Sequence, residues 1–271
     1  MRIYATTQEF LNHPTGLNVD NLVADGTENQ QNVELSRLLQ MASSIIDQWC
    51  YQRLFAHQKT ETKHVRPQQY GSLDVRVSDF PLKQLISAQW RQTARDAWHS
   101  IDTNVIDVFG ELSEGHKYSA SDAYYRGTYG WGQPPLTVQT TYVAGYPNMS
   151  LTANANAGDS TLTVDTTIGV SEGDVLKLYD GLNYEEVTVQ STTSDSVTVT
   201  PLMYAHNTGV RVSELPDAVS TACIIIAAYL VKERRAGASV MMSGNVQKLN
   251  VVDSEDMQLT RQFLLPFRRV I

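Results

Sequence analysis

Two amphipathic helices far apart in the sequence constrain the fold most strongly. In the first, apolar residues recur at three- and four-residue spacing and form one stripe: Leu35, Leu38, Leu39, Ala42, Ile45, Ile46, Trp49 and Cys50. In the second, opened by Pro216, the stripe is Val219, Ala222, Cys223, Ile226, Ala227 and Leu230. Neither helix has a helical neighbour in sequence, so we predict that the two stripes cover each other.

The sequence between these helices changes composition at about Met149. Residues 150–214 are rich in Thr, Val, Asp, Ser and Gly and contain two positive charges, Lys177 and Arg211. Short alternating runs separated by turn signals such as Asp180-Gly181 predict about five strands. This pattern is typical of a small all-β module, a sandwich or barrel-like domain.

The predicted architecture is an α+β chain with an inserted domain. Residues 1–149 and 215–271 form a helical core, with long helices near 33–53 and 216–235, short terminal helices and several strands. Thr6 and Glu9 have the spacing of a capping box and start the first short helix. Residues 150–214 are the insert, because insertions enter a domain where two chain positions lie close together.

Composition and charge limit the classes of function that this chain can have. A net charge of −8 disfavours a protein that grips nucleic acid through many phosphate contacts. No apolar run reaches the roughly 20 residues of a membrane span, and the polar N-terminal residues are not those of a signal peptide, so we expect synthesis in the cytoplasm. Cys50 and Cys223 lie on the apolar stripes and are expected to be buried, reduced thiols.

The sequence contains no pattern typical of catalysis. Its six histidines are scattered, and there is no phosphate-binding loop, nucleophile elbow or zinc-type cysteine pairing. The acids of the insert are interpreted more simply as solvated turn residues than as calcium ligands: Asp174, Asp180, Glu185 and Glu186. We therefore predict a protein that is not an enzyme and has neither a metal site nor a cofactor.

An aromatic, glycine-rich loop at 124–132 is a candidate interaction surface. Its four large aromatic residues are Tyr124, Tyr125, Tyr129 and Trp131. Clustered tyrosine and tryptophan fit stacking on a sugar, and they fit a contact between protein subunits equally well. Both interpretations remain open.

Several segments in order resemble the head-tail connector (adaptor) family of tailed bacteriophages. They are the helix Ala42-Ser43-Ser44-Ile45-Ile46-Asp47-Gln48-Trp49-Cys50, then Arg53-Leu54-Phe55, Phe80-Pro81-Leu82, Ala144-Gly145-Tyr146-Pro147, Leu215-Pro216-Asp217-Ala218-Val219, Lys232-Glu233-Arg234-Arg235 and Leu264-Leu265-Pro266-Phe267-Arg268-Arg269. Together they cover most of residues 1–147 and 215–271. The insert departs from the family's small members and resembles a β-module that recurs in phage structural proteins.

The resemblance implies a structural protein of the virion neck. Such a protein forms a homo-oligomeric ring, commonly a dodecamer, under the portal protein. The ring links the capsid to the stopper or tail proteins and extends the channel through which double-stranded DNA passes without specific binding. A closed ring needs heterologous interfaces between its subunits.

The C-terminal tail is the candidate portal-docking segment. It joins apolar and basic residues: Phe267, Arg268, Arg269, Val270 and Ile271. A packed end of the last helix explains the same residues equally well. The alternatives for the whole chain are a stopper or tail-completion protein of the same connector, and a virion glycan-binding module.

Overall fold

The computed structural model describes residues 3–20, 22–66, 72–101, 106–109, 117–121, 135–181, 183–240 and 255–269. The helices in this part of the chain are α1 (Thr7–Asn12), α2 (Glu28–Cys50), α3 (Asp217–Val240), α4 (Glu255–Leu264) and a 3-10 turn (Leu265–Phe267). The strands are β1 (His57–Val65), β2 (Ser72–Arg76), β3 (Leu82–Arg91), β4 (His99–Ile101), β5 (Ile106–Phe109), β6 (Lys117–Ser121), β7 (Leu136–Ala144), β8 (Asn148–Ser150), β9 (Thr161–Thr163), β10 (Val175–Tyr179), β11 (Tyr184–Thr192), β12 (Ser196–Val199) and β13 (Arg211–Ser213).

These strands form three antiparallel sheets. The orders are β1-β7-β3-β4, β2-β6-β5 and β8-β13-β10-β11-β12-β9. The six-stranded sheet uses only strands from the segment between Asn148 and Ser213. Buried residues alternate with more exposed ones along β10, β11 and β12, because one face of these strands is covered and the other is more accessible to water.

The predicted fold class was wrong. The chain is mostly β, with three antiparallel sheets in the described residues and no α+β core made of long helices. Both long helices are present, as α2 and α3, but the sequence pattern underestimated the strands around them. Strand β1, for example, contains one apolar residue, Val65, and so lacks the alternation that predicts a strand. All nine residues of β1 nevertheless pair in register with β7, from His57 opposite Ala144 to Val65 opposite Leu136.

The structure divides into two compact units. Unit 1 comprises Met1–Gln52, Pro147–Thr167 and Glu172–Arg268, and unit 2 comprises Arg53–Tyr146, Ile168–Ser171 and Arg269–Ile271. The six-stranded sheet therefore belongs to the same unit as the helices. The boundaries that composition suggested for an inserted domain, 150 and 214, stay a prediction.

Within unit 1, α2 and α3 lie against each other. Thr27 and Gln30 form a capping box at the start of α2, and Tyr51 ends this helix in the left-handed conformation with φ of 55°. At the contact, Ser43 Oγ lies 3.5 Å from Cys223 Sγ. Three stripe residues are half-buried: Ile45, Trp49 and Leu230. The others are buried: Leu35, Leu38, Leu39, Ala42, Ile46, Cys50, Val219, Ala222, Cys223, Ile226 and Ala227.

The core of unit 2 is built from strands. Its buried apolar residues are Leu73, Val75, Val77, Ala88, Ile101, Leu136, Val138, Tyr142 and Ala144. At one end of this core the chain closes through backbone hydrogen bonds. Tyr146 N donates to Leu54 O over 2.7 Å, Ala56 N donates to Tyr146 O over 2.7 Å, and Gly145 N donates to Pro81 O over 2.8 Å. We call this arrangement the backbone junction.

Candidate functional site

A groove of about 460 Å³ opens in unit 1 between the end of α2 and the C-terminal segment. Its lining residues are Gln48, Trp49, Tyr51, Arg261, Gln262, Leu264, Leu265 and Arg268. Of these lining residues two are arginines and none is acidic. We call it the arginine groove.

The groove exists because α4 is amphipathic. Met257, Thr260 and Leu264 follow each other at helical spacing and are buried, which fixes α4 on the rest of unit 1. Arg261 borders this buried face, four residues after Met257, and Leu265 follows directly after α4. Both are exposed, Leu265 by 59%. The apolar and basic side chains of the C-terminal segment are thus presented at the surface.

Both arginines of the groove stack on aromatic rings. The Arg261 guanidinium lies 5.2 Å from the centroid of the Trp49 ring, and that of Arg268 lies 5.1 Å from the centroid of Tyr51. Arg268 Nη2 also donates a hydrogen bond to Tyr51 Oη over 3.4 Å. Each cation–π contact contributes about 0.5–1 kcal/mol at an exposed site and holds the guanidinium in one orientation.

The beginning of the predicted portal-docking tail is anchored on its own chain. Gln52 Nε2 donates to the carbonyl of Phe267 over 2.8 Å, while the Phe267 side chain stays partly exposed and Arg268 is exposed. Arg269 belongs to unit 2, where its Nη1 lies 3.9 Å from Asp79 Oδ1. Val270 and Ile271 lie outside the described residues. Of the tail residues, Arg268 lines the arginine groove, and Phe267 directly precedes it in the chain.

A second cavity in unit 1, of about 350 Å³, lies between α1, the β10–β11 hairpin and the first turns of α3. Tyr179 and Tyr184 sit directly opposite each other on β10 and β11, and both line this cavity. The cationic residues at the cavity are paired, because Arg211 bonds Glu9 and Lys177 Nζ lies 2.8 Å from Asp217 Oδ1.

Polar atoms complete the lining of this cavity. His13 Nδ1 is buried and has no hydrogen-bond partner among the described residues. The Tyr184 hydroxyl donates to Glu186, and burial together with that carboxylate raises the pKa of Tyr184 to about 12. The phenol therefore stays neutral at physiological pH. The cavity offers aromatic surface and uncharged polar groups, while its ionic groups balance each other.

A buried polar cluster lies beside the β10–β11 hairpin of the six-stranded sheet. The side chain of His206 is fully buried, with Nδ1 3.1 Å from Asp180 Oδ2 and Nε2 2.7 Å from Glu185 Oε1. Glu185 also accepts hydrogen bonds from the backbone amides of Met203 and Tyr204, at 2.7 and 3.3 Å. Two of the acids interpreted as solvated turn residues thus bind a histidine instead. The signal that sequence reasoning passed over is the one histidine of the acidic segment.

A comparable cluster in unit 2 centres on Asp79. His57 Nε2 lies 3.0 Å from Asp79 Oδ2, and Lys59 Nζ lies 2.7 Å from Asp79 Oδ1. Burial alone would raise the pKa of Asp79, but the hydrogen bonds from His57 and Lys59 outweigh it and hold that pKa below its ordinary value. Asp79 is a structural carboxylate that joins β1 to the residues before β3.

Each of these two clusters lies within one unit and links a strand to neighbouring loop residues. Among the described residues, no three His, Cys, Asp or Glu side chains are grouped so that they could hold a metal ion. No helix in the described part of the chain has the length and apolarity of a membrane span.

The prediction of buried, reduced cysteines is confirmed, since both thiols are free and buried. The aromatic loop residues Tyr124, Tyr125, Tyr129 and Trp131 lie outside the described residues.

Sequence reasoning identified part of the arginine groove. It selected Trp49 as a stripe residue and Arg268 as a docking residue, but not Arg261 or Tyr51, which complete the two stacked pairs. Comparison with models of protein families, with curated proteins and with solved structures found no match to this chain.

Proposed function

We propose that this chain is a structural head-tail adaptor of a tailed bacteriophage that forms a ring under the portal. In this role it extends the DNA channel and connects the capsid to the stopper or tail, without catalysis. Its location is the neck of the virion. Its partners are the portal protein, further copies of itself and the next ring of the neck.

The observation that carries the proposal is the backbone junction. Its hydrogen bonds join Leu54, Pro81 and residues 145–146, which belong to three of the segments whose order resembles the adaptor family, and Ala56, which directly follows the first of them. Gly145 has φ of 97°, and a Cβ there would lie 2.5 Å from Phe55 O, so the junction requires this glycine. Segments on which the resemblance rests, spread over about 90 residues of sequence, thus meet in one structural feature.

The arginine groove supports a protein–protein role. Tryptophan, tyrosine and arginine are enriched at protein interfaces, and the groove combines all three with an exposed leucine. Its lining includes Arg268, which belongs to the proposed portal-docking tail. We therefore place the portal contact at the C-terminal segment.

The direct test is electron microscopy of this protein mixed with portal assemblies from the same genome. We expect additional ring density under the portal clip. A variant truncated before Phe267 is expected to fold, as judged by circular dichroism, and to leave the portals bare. Bare portals with the full-length chain would contradict the adaptor role, whereas binding to a later neck ring would indicate a stopper or tail-completion protein.

A glycan-binding role is the second candidate, favoured by the cavity at Tyr179 and Tyr184. The cross-strand tyrosines offer stacking surface, and the balanced charges suit a neutral, hydroxyl-rich ligand. Saturation-transfer NMR against a panel of neutral mono- and disaccharides tests this role. Transfer that disappears in Tyr184→Ala would support it, and absence of transfer from the whole panel would argue against it.

A further inference from the structure

We propose that the arginine groove binds an acidic segment of a partner polypeptide, whose carboxylates are held by Arg261 and Arg268. The inference rests on the proposed function only for the identity of the partner, the portal protein. The chemistry of the groove itself is independent of that identity.

Arg261 and Arg268 differ from other basic residues of unit 1 in their ionic environment. Three other basic side chains in the described part of unit 1 pair with carboxylates: Arg37 with Glu34, Lys177 with Asp217 and Arg211 with Glu9. Among the described residues, neither Arg261 nor Arg268 lies within ion-pair distance of a carboxylate, although the whole chain has 29 acidic and 21 basic residues. A basic groove on an acidic protein indicates a ligand that supplies the missing negative charge.

Stacking prepares both guanidinium groups for carboxylates. A guanidinium that lies over an aromatic ring keeps the N–H groups at its edge free to donate, in the fork that matches the two oxygens of a carboxylate. Trp49 and Tyr51 fix the two forks before any partner arrives, so less conformational entropy is lost on binding. Arginine is better suited than lysine to this geometry because its donors are planar.

The apolar surface of the groove favours a polypeptide over a nucleic acid. Leu265 is 59% exposed and Tyr51 47% exposed, and both line the groove beside the arginines. An apolar side chain between two acidic residues would cover this surface while its neighbours bind the arginines. Nucleic acid could stack on the same rings, but binding along its backbone needs many cations, and this groove has two.

The test uses a fluorescein-labelled peptide of repeated Glu-Leu-Glu sequence and, as its match, the same peptide with Gln for Glu. Fluorescence anisotropy with the full chain is expected to detect the Glu peptide, more tightly at low than at high salt. Arg261→Ala and Arg268→Ala are each expected to weaken binding about tenfold. The lysine variants at the same positions are expected to weaken it less, because they keep the charge and lose the fork.

Arg37→Ala is the matched control, since Arg37 is 62% exposed on α2 and pairs with Glu34. It is expected to bind the peptide like the wild type. Equal affinity for the Glu and Gln peptides, or unchanged affinity in both alanine variants, would overturn the inference. A DNA oligonucleotide of about the same size as the peptide, if it bound more tightly and displaced the Glu peptide completely, would also overturn the inference. That result would identify a nucleic-acid site. If the chain binds the peptide but does not bind the portal, the adaptor role would be contradicted, whereas the inference that the groove binds an acidic segment would stand.

Discussion

Arg211 Nε lies 3.0 Å from Glu9 Oε1, a contact that joins α1 to β13 across 202 positions of sequence. The same guanidinium donates from Nη1 to the carbonyl of Tyr4 and from Nη2 to Ser220 Oγ, at 3.0 and 3.1 Å. Glu9 meanwhile closes the capping box of α1 by accepting a hydrogen bond from Thr6 N. One largely buried arginine thus connects the N-terminal helix, the six-stranded sheet and α3.

Replacing this arginine is expected to destabilise unit 1 strongly. The side chains of Arg211 and Glu9 are 13% and 7% exposed, so Arg211→Ala leaves a buried carboxylate without its cation. We expect a loss of about 3–5 kcal/mol in the free energy of unfolding, measured by urea denaturation. The control is Lys177→Ala, because its partner Asp217 is 77% exposed and the pair should contribute less than about 1 kcal/mol. Equal losses in the two variants would contradict this assignment.

His206 is the second polar side chain that we expect to stabilise unit 1, through its contacts with two carboxylates. Each of its ring nitrogens faces a carboxylate, and only the doubly protonated ring can donate to both Asp180 and Glu185. His206→Ala leaves both carboxylates without that partner and is expected to cost about 3–5 kcal/mol in urea denaturation. His64→Ala, at an exposed position of β1, should change stability by less than about 0.5 kcal/mol. A stability loss no larger than that of His64→Ala would show that the cluster is dispensable.

Local features of this fold could be predicted from sequence. The capping box of Thr6 and Glu9 is present at the start of α1, because such a box depends on residues three positions apart. The turn at Asp180-Gly181 lies between β10 and β11, and Gly181 has the positive φ that the pair suggested. Signals of this kind need no knowledge of the tertiary structure.

Long-range relationships could not be predicted in this way. The partners of Arg211 and His206 come from other strands and from α1, so a single sequence contains no period or spacing that joins them. Strand β1 illustrates the same difficulty for the fold class. Its residues are mainly polar, and its place in the sheet depends on pairing with β7, which follows about 80 residues later.

The two cysteines are expected to be unreactive in the folded protein. Burial raises the pKa of Cys50 to about 12 and that of Cys223 to about 11, so almost no thiolate forms at mildly alkaline pH. Alkylation by iodoacetamide should be at least about a hundredfold slower than for a free thiol. Mass spectrometry should find both cysteines modified after unfolding in urea. Rapid modification of the native chain would mean that these helices open easily.

Asp79 is expected to make unit 2 sensitive to acid. Its pKa is lower in the folded protein, where His57 and Lys59 bind the carboxylate, than the ordinary value of 3.8 in the unfolded chain. The stabilisation is therefore complete above pH 3.8 and is lost as the pH falls through the folded pKa. Urea denaturation between neutral and acidic pH should reveal this decrease. In Asp79→Asn the corresponding part of the pH dependence should be absent, and an unchanged profile would exclude Asp79 as its source.

Gly145→Ala tests the backbone junction. Gly145 and Gly158 both have positive φ, 97° and 89°, so a side chain at either position is expected to cost about 1 kcal/mol or more in backbone strain. A Cβ at Gly145 would also lie 2.5 Å from Phe55 O and 2.6 Å from Phe55 C, whereas a Cβ at Gly158 meets no atom within 4 Å. Gly145→Ala should therefore cost about 1–3 kcal/mol more than Gly158→Ala in thermal or urea unfolding. Similar losses in the two variants would mean that the junction can widen at little cost, and the close approach of Gly145 to Phe55 would no longer explain why glycine stands at this position.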